Sequence, residues 1–268
     1  MFMAKLIIMP NPKSFTSSIH DYLINKYFIE DIVPGIKEPS FLTNNTIQMK
    51  LNLLLRGMYN HLNSKFFIDA TQYYQKFNSI FFRSIKKHDY IVLFPIRSAV
   101  NRYESMFNML YEMGNIETEK MMGLIKNHDM ITNGQINQLL KTEIDINGGF
   151  KKTTVTKAVL NAPTLNILIK NLSPNKIFIL KIDEENQTPD SINQEIKNKL
   201  DKFARILRVS IKNNDCKFRY ISPALEIRRK KPSYEKLSND NKKDLKRLSD
   251  IDKNYCNFLI KNSSVTVL

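Results

Sequence analysis

The sequence predicts an α/β fold: a single domain over residues 1–268, with a central, mostly parallel sheet flanked by helices and carrying helical insertions. Three observations lead there. Short continuous apolar runs recur along the chain, as strands buried on both faces require. They alternate with stretches whose apolar residues fall three or four apart, the spacing of one helix face. The length of 268 residues, with 42% apolar and 25% charged composition, suits one large core and not a disordered chain.

The elements follow in order. Leu6 to Met9 is the first strand; Pro10 and Pro12 stop it, the hydroxyl-rich Ser14-Phe15-Thr16-Ser17-Ser18 follows, and a helix is expected from Ile19 to Phe28. Phe66-Phe67-Ile68 is a second strand, ending in Asp69-Ala70-Thr71, and Tyr90 to Phe94 a third, ending at Pro95-Ile96-Arg97. A long helical region from about Val100 to Leu140 places Tyr103, Met106, Phe107, Leu110 and Met113 at helical spacing and gives a helical insertion at about 106–147. Ala158 to Leu172 is another helix, and Lys176 to Ile182 the fourth strand. Ile192, Ile196, Leu200, Phe203 and Leu207 define an amphipathic helix. A C-terminal basic loop and helix occupy 217–262, with Ser238 as N-cap and Leu245, Leu248, Ile251, Tyr255 and Phe258 on the apolar face.

Forty-one Lys and Arg against 26 Asp and Glu leave a net charge of +15, which favours an anionic partner without choosing between nucleic acid, a membrane surface and a phosphorylated or sulfated small molecule. Only ten of these residues are Arg, and Lys, Asn and Ile are abundant, as in an AT-rich coding sequence. Two cysteines, Cys216 and Cys256, make neither a disulfide framework nor a zinc cluster. The four histidines have no metal-ligand spacing, so no metal is expected. The apolar start lacks a signal-peptide core and no run approaches the roughly 20 residues that span a bilayer, so a soluble, cytoplasmic protein with no membrane span is expected.

Two segments carry chemistry. Pro12-Lys13-Ser14-Phe15-Thr16-Ser17-Ser18 joins a strand to a helix, where backbone N–H groups and the positive helix end can cradle a phosphate, with Lys13 and the hydroxyls completing the cradle. Neither the Walker A pattern nor the dinucleotide pattern G-x-G-x-x-G is present. Arg97-Ser98-Ala99-Val100-Asn101-Arg102-Tyr103-Glu104-Ser105 leaves the third strand, and Arg97 falls at the C-terminal edge of the sheet, where open α/β folds bind ligands. Arg102 and Ser105 share a helix face, so a second anionic group could be held here.

Together these segments resemble the sulfotransferases that use 3′-phosphoadenosine-5′-phosphosulfate (PAPS), most closely the bacterial and heparan-type carbohydrate enzymes. The first is similar to the family's 5′-phosphosulfate loop, K-S/A-G-T-S/T, and the second to its 3′-phosphate motif, R-x-P-x-x-R-x-x-S. Lys37-Glu38-Pro39-Ser40-Phe41 looks like the K-E-x-x-F segment, Asp69-Ala70-Thr71-Gln72-Tyr73 like D-x-T-P-x-Y, and Lys230-Lys231-Pro232-Ser233-Tyr234 like the late basic loop K-G-R-x-Y. The resemblance runs from Lys5 to about Leu259. The chain departs from the pattern at Gln72, Ala99, Lys231 and Pro232, and at Phe15, which replaces the loop glycine. A Cβ there works against the backbone conformation and close phosphate approach that glycine permits.

The resemblance implies the P-loop-like sulfotransferase fold and transfer of a sulfuryl group from PAPS to an acceptor hydroxyl, carbohydrate first, with PAP as product and no metal. It implies donor binding by Lys13, Ser14, Phe15, Thr16, Ser17, Ser18, Arg97, Ser105, Lys230 and Tyr234. Lys13 would also stabilise the leaving group. Acceptor binding would fall to Lys37, Glu38, Asp69, Thr71 and Tyr73, with Glu38 as general base and His61 or His128 in reserve. A lipid or natural-product hydroxyl is the alternative acceptor. Nucleic-acid binding is a competing reading because Lys217 to Arg247 holds eleven Lys or Arg against four Asp or Glu, with Phe218, Tyr220 and Tyr234 among them. That region coincides with a family loop, which disfavours nucleic acid as partner. A small-molecule kinase is disfavoured by the missing Walker A loop.

Overall fold

A computed structural model describes residues 5–11, 14–32, 66–70, 79–102, 105, 160–185, 187–218 and 239–268. Strand β1 (Lys5–Ile8) feeds helix α1 (Thr16–Lys26) and the short strand β2 (Glu30–Asp31). Strand β3 (Phe66–Asp69), helix α2 (Ser79–Ile85) and strand β4 (Asp89–Ile96) follow. Helical backbone resumes at 99–102 and again at 105. Then come α3 (Ala162–Asn171), one 3₁₀ turn (Pro174–Lys176), β5 (Ile177–Lys181), α4 (Pro189–Leu207), α5 (Asn239–Lys261) and β6 (Thr266–Val267).

The described strands form one open sheet in the order β2-β3-β1-β4-β5-β6, and every neighbouring pair is parallel. The parallel sheet is covered on both faces, and strand alternation divides its side chains. Leu6, Ile8, Val92, Phe94, Ile177 and Ile179 pack with Phe81, Leu165, Leu168 and Cys256 from α2, α3 and α5. Ile7, Met9, Ile91, Leu93, Phe178 and Leu180 pack with Ile19, Leu23, Ile196, Leu200 and Phe203 from α1 and α4. Two-sided burial accounts for the unbroken apolar runs, since neither parity of residue can be polar. Each fully buried Leu, Ile or Phe contributes about 1.5–3 kcal/mol through its removal from water.

Helix α4 buries Ile192, Ile196, Leu200, Phe203 and Ala204. It starts on Thr188, whose hydroxyl accepts the Ser191 N–H at 3.2 Å, and stops at Arg208 in the left-handed region (φ 57°). Helix α5 differs from the expectation at Phe258, which is 62% exposed. Ile251 and Tyr255 are partly buried and pack against the core as expected, while among the described side chains of α5 the buried ones are Ser249, Asp252 and Cys256, the first two polar and passed over by an apolar count. Among the described residues no helix is long and apolar enough to cross a membrane. The expected helical insertion at 106–147 lies outside the described residues.

The chain moves from β1 toward one edge of the sheet to place β2 and β3, and from β4 toward the other to place β5 and β6. The switch point therefore lies between β1 and β4, and the segments leaving their C-terminal ends flank the crevice where such sheets bind ligands. β4 continues past its pairing with β1, which ends at Val92, and Pro95 lies in that extension, paired only with β5. A proline there costs no ladder bond. The Pro95 carbonyl instead accepts the side-chain amide of Asn11, just after β1, at 2.6 Å.

Candidate anion-binding site at the β1/β4 crevice

The segment after β1 enters α1 through Phe15, whose backbone is left-handed (φ 61°, ψ 18°). This is the position where the sequence comparison expects glycine. A Cβ in this region costs about 1–2 kcal/mol, and the chain adopts it all the same. The first intrahelical bond runs from the Ile19 N–H to the Phe15 carbonyl at 2.9 Å. The N–H groups of Thr16, Ser17 and Ser18 therefore precede the α1 ladder, at the positive end of the helix. Ser14 and Thr16 are buried, Ser18 is half-buried and Ser17 exposed.

Arg97, the first residue beyond β4, reaches across to this turn. Its guanidinium carbon lies 4.3 Å from the centroid of the half-buried Phe15 ring. Cation–π attraction of this kind contributes about 0.5–2 kcal/mol, comparable to the backbone cost of Phe15. The same guanidinium is forked onto Glu184, three residues beyond β5, with Nε to Oε2 at 2.6 Å and Nη2 to Oε1 at 2.9 Å. Asn101 Nδ2 donates to the same Oε2 at 2.7 Å. Residues following β1, β4 and β5 thus converge at one end of the sheet.

Beneath them is a buried polar network. Arg102 is fully buried and donates from Nη1 to Asn161 Oδ1 at 2.8 Å. Burial chiefly lowers its guanidinium pKa, to about 9, with Arg97 acting in the same direction and Asp252 opposing. Burial raises the Asp252 carboxyl above its ordinary value, although hydrogen bonds from Ala162 and Asn161 pull the other way. Asn161 joins these groups: its Oδ1 also accepts Asn11 Nδ2 at 3.0 Å, and its Nδ2 donates to the Arg97 carbonyl at 2.9 Å and to Asp252 Oδ2 at 2.8 Å. Asp252 Oδ1 accepts the backbone N–H groups of Asn161 (2.9 Å) and Ala162 (2.8 Å). An acid in α5 therefore caps α3, whose own N-cap residue makes no side-chain capping bond.

Of the residues expected at the site, Ser14, Phe15, Thr16, Ser17 and Ser18 share one turn with Arg97 over it. Half-buried Ser105 follows on the helical segment after Arg97. Asp69 ends β3 beside β1 and is fully buried; its carbonyl accepts the Met9 N–H at 3.1 Å. Arg102 departs from the expectation of a shared ligand-facing surface with Ser105, because its guanidinium belongs to the network under the crevice floor. Lys13, Lys37, Glu38, Thr71, Tyr73, Lys230 and Tyr234 lie outside the described residues, as do His61 and His128. Glu184, Asn101, Asn161 and Asp252 were not anticipated from sequence. One signal was present: Asp183-Glu184-Glu185 follows the fourth expected strand directly, at the sheet end where Arg97 had been placed.

No protein-family model matches the sequence, and no curated protein matches it. The structure is similar to a crystal structure of a sulfotransferase from Alicyclobacillus acidocaldarius, with a TM-score of 0.62, 15% sequence identity, and 96% of each chain covered. At that identity the likeness establishes a shared fold: the open α/β sheet of parallel strands flanked by helices.

Proposed function

We propose that the chain is a sulfotransferase that moves the sulfuryl group of PAPS to an acceptor hydroxyl, with carbohydrates the first acceptor class and lipid or natural-product hydroxyls the second. The observation that carries this reading is the meeting of Arg97 with the left-handed Phe15 turn across the β1/β4 crevice. The turn suits a 5′-phosphate, because N–H donors and a helix dipole converge there. Arg97 lies one strand away, where a second phosphate of the same nucleotide would fall. The fold shared with the Alicyclobacillus protein and the motif order in the sequence add support.

Bound in the crevice, PAPS supplies a sulfuryl group already activated on a phosphate leaving group. Sulfuryl transfer then needs in-line positioning and stabilisation of the charge that develops on the leaving oxygen. In this reading Lys13 supplies that stabilisation, and the Ser14–Ser18 turn holds the 5′-phosphate. Arg97 and Ser105 hold the 3′-phosphate, and Lys230 and Tyr234 also bind the donor. Glu38 takes the acceptor proton, with Lys37, Asp69, Thr71 and Tyr73 around the acceptor, and no metal takes part. The protein acts in the cytoplasm as one sulfotransferase-like domain.

Incubation with ³⁵S-labelled PAPS and a panel of oligosaccharides and phenols tests the activity. Label transferred by the wild type and lost in Lys13→Ala supports the reading. Undiminished transfer by Lys13→Ala removes Lys13 from the mechanism, and absence of transfer to every hydroxyl class counts against the activity.

A further inference from the structure

We propose that Glu184 sets how strongly this site selects a 3′-phosphate, by competing with that phosphate for Arg97. The inference rests on the donor reading above and concerns a residue to which that reading gives no role. Glu184 takes both Nε and Nη2 of Arg97 in a side-on fork and receives a third bond from Asn101. The pair is largely out of water, with side-chain exposures of 12% for Arg97 and 8% for Glu184. The second guanidinium beneath the crevice, Arg102, is opposed by its own acid, Asp252, and Arg97 and Arg102 repel each other. Among the described residues, each of these two guanidinium groups thus has an acid acting on it before any anion arrives.

An incoming phosphate therefore meets a guanidinium whose charge is already met. Either Glu184 gives up part of Arg97 or it stays within several ångström of the phosphate. The first forfeits charge-assisted hydrogen bonds in a nearly dry place. The second sets like charges close together, and one unit of like charge at that range, with an effective dielectric of ~20, is worth more than tenfold in affinity. Both act on the 3′-phosphate and spare the 5′-phosphate, which is assigned to the turn before α1. Removing the Glu184 charge while keeping its shape should therefore strengthen binding of a nucleoside 3′,5′-bisphosphate and leave a 5′-monophosphate unaffected.

The test is calorimetric titration of the full-length wild type and Glu184→Gln with PAP and with AMP. The expected result is PAP binding about tenfold tighter in the variant with AMP unchanged, a gain in selectivity that damage to the fold would not produce. A wild type that prefers PAP, with a variant whose PAP-to-AMP ratio is unchanged or lower, overturns the role of Glu184 and leaves the donor reading standing; a fall in the ratio would make Glu184 a residue that aligns Arg97. If neither protein prefers PAP, both inferences fall. Should Glu184→Gln not fold, the wild type answers by NMR. The Arg97 Nε–H resonance, identified by its loss in Arg97→Lys, should move on saturation with PAP and stay in place with AMP. An unmoved resonance at saturating PAP also overturns the proposal.

Discussion

The Arg97 guanidinium carbon lies over the Phe15 ring, 4.3 Å from its centroid, and Phe15 itself holds a left-handed backbone. A substitution that relieves the backbone therefore also removes the stacking surface, and the two effects can be separated by using two small residues. Phe15→Ala keeps the Cβ and loses the ring; Phe15→Gly loses both. We expect Phe15→Gly to be more stable than Phe15→Ala by about 1 kcal/mol in urea unfolding. Equal stabilities would show that the turn relaxes out of the left-handed region once the ring is gone.

Arg97→Lys keeps a charge and loses the fork and the planar stacking face. It should weaken PAP by about tenfold or more and change adenosine 5′-phosphosulfate, which lacks the 3′-phosphate, by much less. Equal weakening of the two ligands, measured by competition binding, would reject the assignment of Arg97 to the 3′-phosphate.

Asn161 ties Asn11, Arg97, Arg102 and Asp252 together in a buried place. Asn161→Ala removes these side-chain bonds at once and leaves Arg102 and Asp252 without their shared partner. A loss of roughly 3 kcal/mol in unfolding free energy is expected, since several hydrogen bonds to buried charged and polar groups go at once, while Asp252 keeps the backbone N–H groups of residues 161 and 162. A loss below 1 kcal/mol would mean that the network reorganises around the gap.

His20 in α1 is buried, with its Nε2 2.5 Å from Asp31 of β2 and its Nδ1 3.1 Å from Asp21. Burial, the largest single influence, lowers its pKa, but hydrogen bonds and charge attraction from Asp21 and Asp31 outweigh it and leave the pKa raised. A raised folded-state pKa means that the contribution of the imidazolium is fully present below the unfolded value of about 6.5 and is lost as pH rises through the folded value. Unfolding free energy should therefore fall across that window, and Asp31→Asn should flatten the fall. A variant with the wild-type slope would place the titration elsewhere.

The sheet was legible where strands are covered on both faces, because two-sided burial writes a continuous apolar run. β1, β3, β4 and β5 were found for that reason. β2 and β6, with two residues each, pair only at the sheet edges and carry no such run. Helix α2 escaped because Phe81, Phe82 and Ile85 are too few to declare a period. The meeting of the turn after β1 with Arg97 after β4 was legible because strand-loop-helix order places both at one end of the sheet. Glu184, Asn161 and Asp252 were not, because their roles arise from contacts between residues more than fifty positions apart. Arg102 was placed with Ser105 by helix spacing alone, which does not say which face meets α3 and α5.

The most direct test of the account is calorimetric titration of the wild-type protein with PAP, AMP and ADP at matched salt. Binding that is clearly tighter for PAP than for AMP or ADP, and that survives moderate salt, is the predicted result. Equal affinity for the three nucleotides, or binding that collapses with salt in the manner of a polyanion contact, would contradict the donor site and move the basic chain toward the nucleic-acid reading.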